Sequence, residues 1–98
     1  MTVRWKGEVW YWKGPAPHHF ITVPPEESRE IKAGSSRVTY GWGMIPVLAR
    51  IGQTDFTTAM FEKNGAYVLP VKLAVRKREG IEVGDSVLVE IVIEIRAP

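Results

Sequence analysis

A chain of 98 residues with 45% hydrophobic content can build one core and is too short for two independently folding units. It contains no cysteine, which excludes disulfides, thiolate metal sites and thiol nucleophiles. A net charge of +2 falls well short of the field of a dedicated nucleic-acid binder, and neither a signal-peptide core nor the roughly 20 apolar residues of a membrane helix occur, so the expected setting is the cytoplasm with no membrane partner.

The chain opens on a period of two. Val3, Trp5, Val9 and Tyr11 alternate with Arg4, Lys6 and Glu8, which predicts a strand. Trp10, Tyr11 and Trp12 are consecutive, so each strand face carries at least one large ring. Adjacent His18 and His19 point to opposite faces of an extended chain and have no Cys or third His to join them, so they read as solvated loop residues rather than metal ligands. A short strand is predicted over residues 20–23. It is followed by Pro24-Pro25-Glu26-Glu27, where Pro suits the first helical turn and acids suit the positive helix end. Residues 37–40 form a weaker strand candidate, and Gly41-Trp42-Gly43 lacks the following helix that a phosphate loop needs.

From Ile45 the alternation is strict. Ile45, Val47, Ala49 and Ile51 form one face of a strand, and Phe56, Thr58 and Met60 one face of the next. Gly52-Gln53 and Asn64-Gly65 are two-residue hairpin turns, because Gly and Asn tolerate the positive φ that matches strand twist. Residues 45–69 are therefore a three-stranded meander. Pro70 to Glu79 reads as a second short helix closed by Gly80, with Val71, Ala74 and Val75 as its apolar stripe and Lys72 and Arg76 one turn apart on another face. Gly84-Asp85 is a turn, and the odd-numbered residues from Val87 to Ile95 are the inner face of a last strand. Leu88 and Val92 on its other face predict a central or partly covered position.

Two segments are alike. Phe20-Ile21-Thr22-Val23-Pro24 can be laid on Ala66-Tyr67-Val68-Leu69-Pro70, a strand ending in Pro before a short helix, about 46 residues apart. Two such units predict a mainly β fold in which the halves close a two-fold pseudobarrel with two short capping helices, since closure removes strand edges. An internal duplication also takes the place of a dimer, which points to a monomer.

The second unit, from Tyr67 through Pro70 and Lys72 to Gly84-Asp85 and Val87, resembles the swapped-hairpin half of AbrB-like transcription factors. The chain from about residue 5 to 95 resembles the bacterial domain-of-unknown-function family DUF1905. Phe20 to Pro24, Gly41 with Gly43, Pro46-Val47, Gly52, Thr58-Ala59-Met60-Phe61, Tyr67 to Arg76 and Gly84-Asp85 carry that likeness. It implies a double-split β-barrel capped by helices and no established chemistry. The family usually has Ser where this chain has Ala59, so no role can rest on that hydroxyl.

No serine stands in a nucleophile-elbow context, so enzymatic activity and a cofactor are not expected. The favoured reading is a non-catalytic binding module for a small anionic ligand or a protein partner. Its candidate residues are Lys72 and Arg76 on the basic helix, the Trp10/Trp12 rim, and Tyr67. An AbrB-like DNA-binding role is the alternative. It is disfavoured because Glu26, Glu27 and Glu30 make the first helix acidic, whereas a two-fold reader offers positive charge from both halves.

Overall fold

The computed structural model describes residues 1–35 and 43–93. Six strands, β1 (Thr2–Trp12), β2 (His18–Thr22), β3 (Ile45–Ile51), β4 (Thr54–Lys63), β5 (Ala66–Pro70) and β6 (Ser86–Val92), close a barrel in the order β1-β2-β5-β4-β3-β6. Every pairing is antiparallel. Helix α1 (Pro25–Ser35) packs on β5, and α2 (Leu73–Glu79) on β4. The predicted meander is present: β3, β4 and β5 are sequential neighbours, turned at Gly52 (φ 59°) and at Asn64-Gly65 (φ 55° and 84°).

The two long strands are each divided between two partners. β1 pairs with β6 through Thr2 to Glu8 and with β2 from Val9 onward; β4 pairs with β3 from Thr54 to Met60 and with β5 from Phe61 onward. Exchanging β1 with β4, β2 with β5 and β3 with β6 leaves the cyclic order unchanged, which is the topology of a two-fold pseudosymmetric, double-split barrel.

Hydrogen bonds fix the register of that symmetry. Val23 N–H donates to Tyr67 O while Val71 N–H donates to His19 O, and Ser28 N–H donates to Pro24 O while Arg76 N–H donates to Lys72 O. The side chains follow: Ser28 Oγ donates to Val23 O and Arg76 Nε donates to Val71 O. Each bond has its mate 48 residues away, as Val23 is from Val71. The expected overlay of Pro24 on Pro70 is therefore corrected by two residues. Pro70 lies within β5 opposite Phe20, whereas Pro24 follows β2 and offers its carbonyl to α1. In β1 and β4 the separation grows to 51, because five residues join β1 to β2 and only Asn64-Gly65 joins β4 to β5.

The interior is filled by the alternate positions read from the sequence: Val3, Trp5 and Val9 of β1, Ile45 to Ile51 of β3, Phe56 and Met60 of β4, and Val89 and Ile91 of β6. Ile21 and Leu69, paired across the dyad, are fully buried at its centre. Three expectations change. Tyr11 shares the inward side but is 40% exposed, because β1 overhangs the barrel mouth there. Helix α2 starts at Leu73, not Pro70, since Val71 still bonds β2; Val71 is buried ahead of the helix, Ala74 is exposed, and Val75 alone of the helix is buried. β6 is central, but its outer face is bare, with Leu88 67% exposed. Residues 37–40, Gly41, Trp42 and Ile95 lie outside the described residues.

Gly80 ends α2 in the left-handed conformation (φ 65°), and Ile81 N–H bonds back to Arg76 O. The Gly84-Asp85 turn forms as read: Gly84 has φ 94° and the Asp85 carboxylate accepts from Glu82 N–H. Among the described residues, no helix is long and apolar enough to cross a membrane.

Candidate functional site

The Trp10/Trp12 rim lies on the outer face of the β1-β2-β5-β4 sheet, and most of its surface is spent on its neighbours. Trp10 faces Phe20 across the strands with ring centroids 5.3 Å apart, His18 stacks on Phe20 at 5.3 Å, and Phe61 meets Phe20 edge-on at 5.6 Å. Phe20 and Val68 are 5% and 1% exposed although they point away from the barrel interior. They form a second, external core. Trp10 Nε1 donates to Thr22 Oγ1 and Trp12 Nε1 to Pro15 O, so both indoles are also fixed by hydrogen bonds.

This external core straddles the pseudo-dyad. The register makes Phe61 the mate of Trp10 and Lys63 the mate of Trp12, and the Lys63 ammonium stands 3.5 Å from the Trp12 ring centroid. Strand twist brings these two overhanging ends together across the sheet, and the cation–π contact closes them over Phe20. Lys63→Ala is expected to cost about 0.5–1 kcal/mol and Lys63→Arg much less, read by urea unfolding. The rim is thus chiefly packing.

Tyr67 is 3% exposed, in the interior beneath α1, and reaches no outer surface. Its N–H donates to Ser28 Oγ. Its symmetry mate is His19, which lies at the other mouth under α2. This second mouth gathers the remaining candidates. His19 and Tyr11 are cross-strand partners with ring centroids 4.8 Å apart. Both histidines sit at the start of β2 on opposite faces, half-buried, rather than free in the preceding loop.

Arg76 is half-buried, anchored through Nε to Val71 O at 3.3 Å, close enough to His19 to act on its charge. Burial first, then the Arg76 guanidinium, then His18 hold the His19 imidazole below its usual range. Lys72 is exposed at the helix N-cap, where its carbonyl receives Arg76 N–H, so the two cations are joined through the backbone. Among the described residues, Lys72, Arg76, Lys77 and Arg78 form no ion pair. Lys72 and Arg76 were legible as a basic pair; His19 and Tyr11 were not linked to them, because the β1-β2 register joins Tyr11 to His19 and only the β2-β5 pairing, with Val71 N–H on His19 O, carries them to α2.

A cleft of about 410 Å³ lies at the opposite side of α2, lined by Ile51, Gly52, Ile81 and Leu88 with Arg4, Arg50, Glu79 and Glu90 at its edge. Its charges are internally matched. Arg4 pairs with Glu90, Arg50 with Asp55, and Glu79 accepts from Thr54 Oγ1 at 2.6 Å and from Gln53 N–H. Among the described residues, no three His, Asp or Glu side chains are grouped to hold a metal ion.

A search of curated proteins returns no match. The family model for the domain of unknown function DUF1905 matches residues 5–91. A closed barrel with helical caps over that span is what the resemblance implied, and the chain belongs to the DUF1905 family.

Proposed function

We propose that the protein is a non-catalytic binding module whose α2 mouth holds a small anionic ligand, a phosphate ester or carboxylate. The observation that carries this reading is the group of cations on α2 that have no carboxylate partner among the described residues, one of which, Arg76, is pre-positioned by its bond to Val71 O. A held guanidinium loses less entropy on binding and leaves its terminal N–H groups available for two parallel bonds to an oxyanion. Lys72 adds a mobile second charge, and His19 and Tyr11 supply donors at the same mouth.

The depressed His19 gives the test. A bound anion offsets Arg76, so it raises the His19 pKa back toward the usual 6.5. By linkage, affinity strengthens as pH falls through the His19 range. Titration with inorganic phosphate and with a dicarboxylate, followed by imidazole NMR shifts, is expected to show this rise. Lys72→Ala and Arg76→Ala are each expected to weaken binding roughly tenfold. Binding that leaves His19 unmoved, or survives both substitutions, contradicts the reading.

The AbrB-like alternative of duplex DNA binding draws little support from the dyad. The mates of Lys72, Arg76, Lys77 and Arg78 are Pro24, Ser28, Arg29 and Glu30, so the first half keeps one of the four cations and sets a carboxylate in place of another, short of the matched charge that phosphate contacts on both sides of a two-fold need.

A further inference from the structure

The outer face of β1, β6, β3 and β4 has an order that the anion site does not use. One cross-strand row reads Arg4, Glu90, Arg50, Asp55, with alternating sign. The row beside it reads Thr2, Val92, Leu48, Thr57, polar at the edges and apolar in the middle. On the other side Leu88, opposite Lys6, stands 67% exposed and lines the cleft with Gly52, whose missing side chain makes room for the Glu79 carboxylate. Leu48 and Val92 are 49% and 38% exposed. Three exposed branched side chains therefore flank the charged row, two on one side and one on the other, and exposed apolar side chains bordered by charge are of the kind that marks an interface.

The charge order selects the occupant. A two-fold axis parallel to the strands, between β6 and β3, reverses each row while keeping it at its own height. Glu90 then meets the partner's Arg50, Arg4 meets the partner's Asp55, and Val92 meets the partner's Leu48. Leu88 enters the partner's cleft beside Gly52. An axis across the strands at the height of the charged row would instead set Arg4 on its own copy and Glu90 on its own copy, which like charge opposes. We propose that this face is the isologous interface of a homodimer, with two barrels stacked face to face and their strands roughly aligned. The internal duplication closes the barrel without a second copy, but it leaves this face open, so the monomer expected from duplication does not follow.

Sedimentation equilibrium on the whole chain tests this. The wild type is expected to be dimeric at micromolar to millimolar concentration. Glu90→Arg and Arg50→Glu, each folded by circular dichroism, are each expected to raise the dimer Kd about tenfold or more by placing like charges together. Mixed in equal amounts, these two variants are expected to regain a dimer containing one of each, because every facing pair is again opposite in sign. Leu88→Asp is expected to be monomeric. A monomeric wild type, a dimer indifferent to the reversals and to Leu88→Asp, or a mixture that stays monomeric would each overturn the proposal.

Discussion

Gly7→Ala is expected to lower the unfolding free energy by about 2–3 kcal/mol, with the urea m-value unchanged. Gly7 lies in β1 just before that strand passes from β6 to β2, with the Trp5 indole folded over it. A methyl group there would stand 2.5 Å from Ile21 Cγ2 and 2.8 Å from Trp5 Nε1. Neither neighbour can yield. Ile21 is fully buried on the dyad and Trp5 is packed within the barrel. Combining Gly7→Ala with Ile21→Ala should therefore cost less than the sum of the two, since the second change removes the nearer of the two atoms that the first strikes. Additive costs would mean that β1 takes a different path past β2.

Ser28→Ala is expected to cost about 2–3 kcal/mol, large for the loss of one hydroxyl. The Ser28 side chain is buried, donates to Val23 O and accepts from Tyr67 N–H. Alanine leaves that N–H buried without its acceptor, and the penalty is for the orphaned donor rather than the missing bond. Ser28→Thr keeps the acceptor and should recover much of the loss. Hydrogen exchange at Tyr67 reads the effect directly, rising in Ser28→Ala and staying protected in Ser28→Thr.

Much of the architecture was legible because its signals are local. Alternation from Ile45 to Met60, the Asn64-Gly65 turn and the Gly84-Asp85 turn each depend on a few neighbouring residues, and each formed. The repeat was legible in kind but shifted by two residues. Aligning on proline assumes that both prolines do the same backbone work, whereas Pro70 needs no N–H on the outer side of β5 and Pro24 is a helix-entry residue. The same assumption started α2 early and put Lys72 and Arg76 on a shared helix face, when Lys72 is the cap and Arg76 turns back to Val71.

The site was less legible because it depends on closure. Trp10 and Trp12 stood out as large rings, yet nothing local says that Phe61 and Lys63 arrive from the other half to cover Phe20. Tyr67 stood among the candidate ligand-binding residues, and its inward face follows only from the register with Glu62 and from the placement of α1. Likewise His19 acquires Arg76 as a neighbour through β2-β5 pairing, fifty-odd residues apart in sequence.

The relation between the two halves is tested most directly by scalar couplings across hydrogen bonds in labelled protein. Val23 N should couple to the carbonyl carbon of Tyr67 and Val71 N to that of His19, reciprocal signals at a separation of 48 residues. Couplings in the register that superposes Pro24 on Pro70, or none linking residues 19–23 with 67–71, would contradict the two-fold barrel and the placement of Arg76 beside His19.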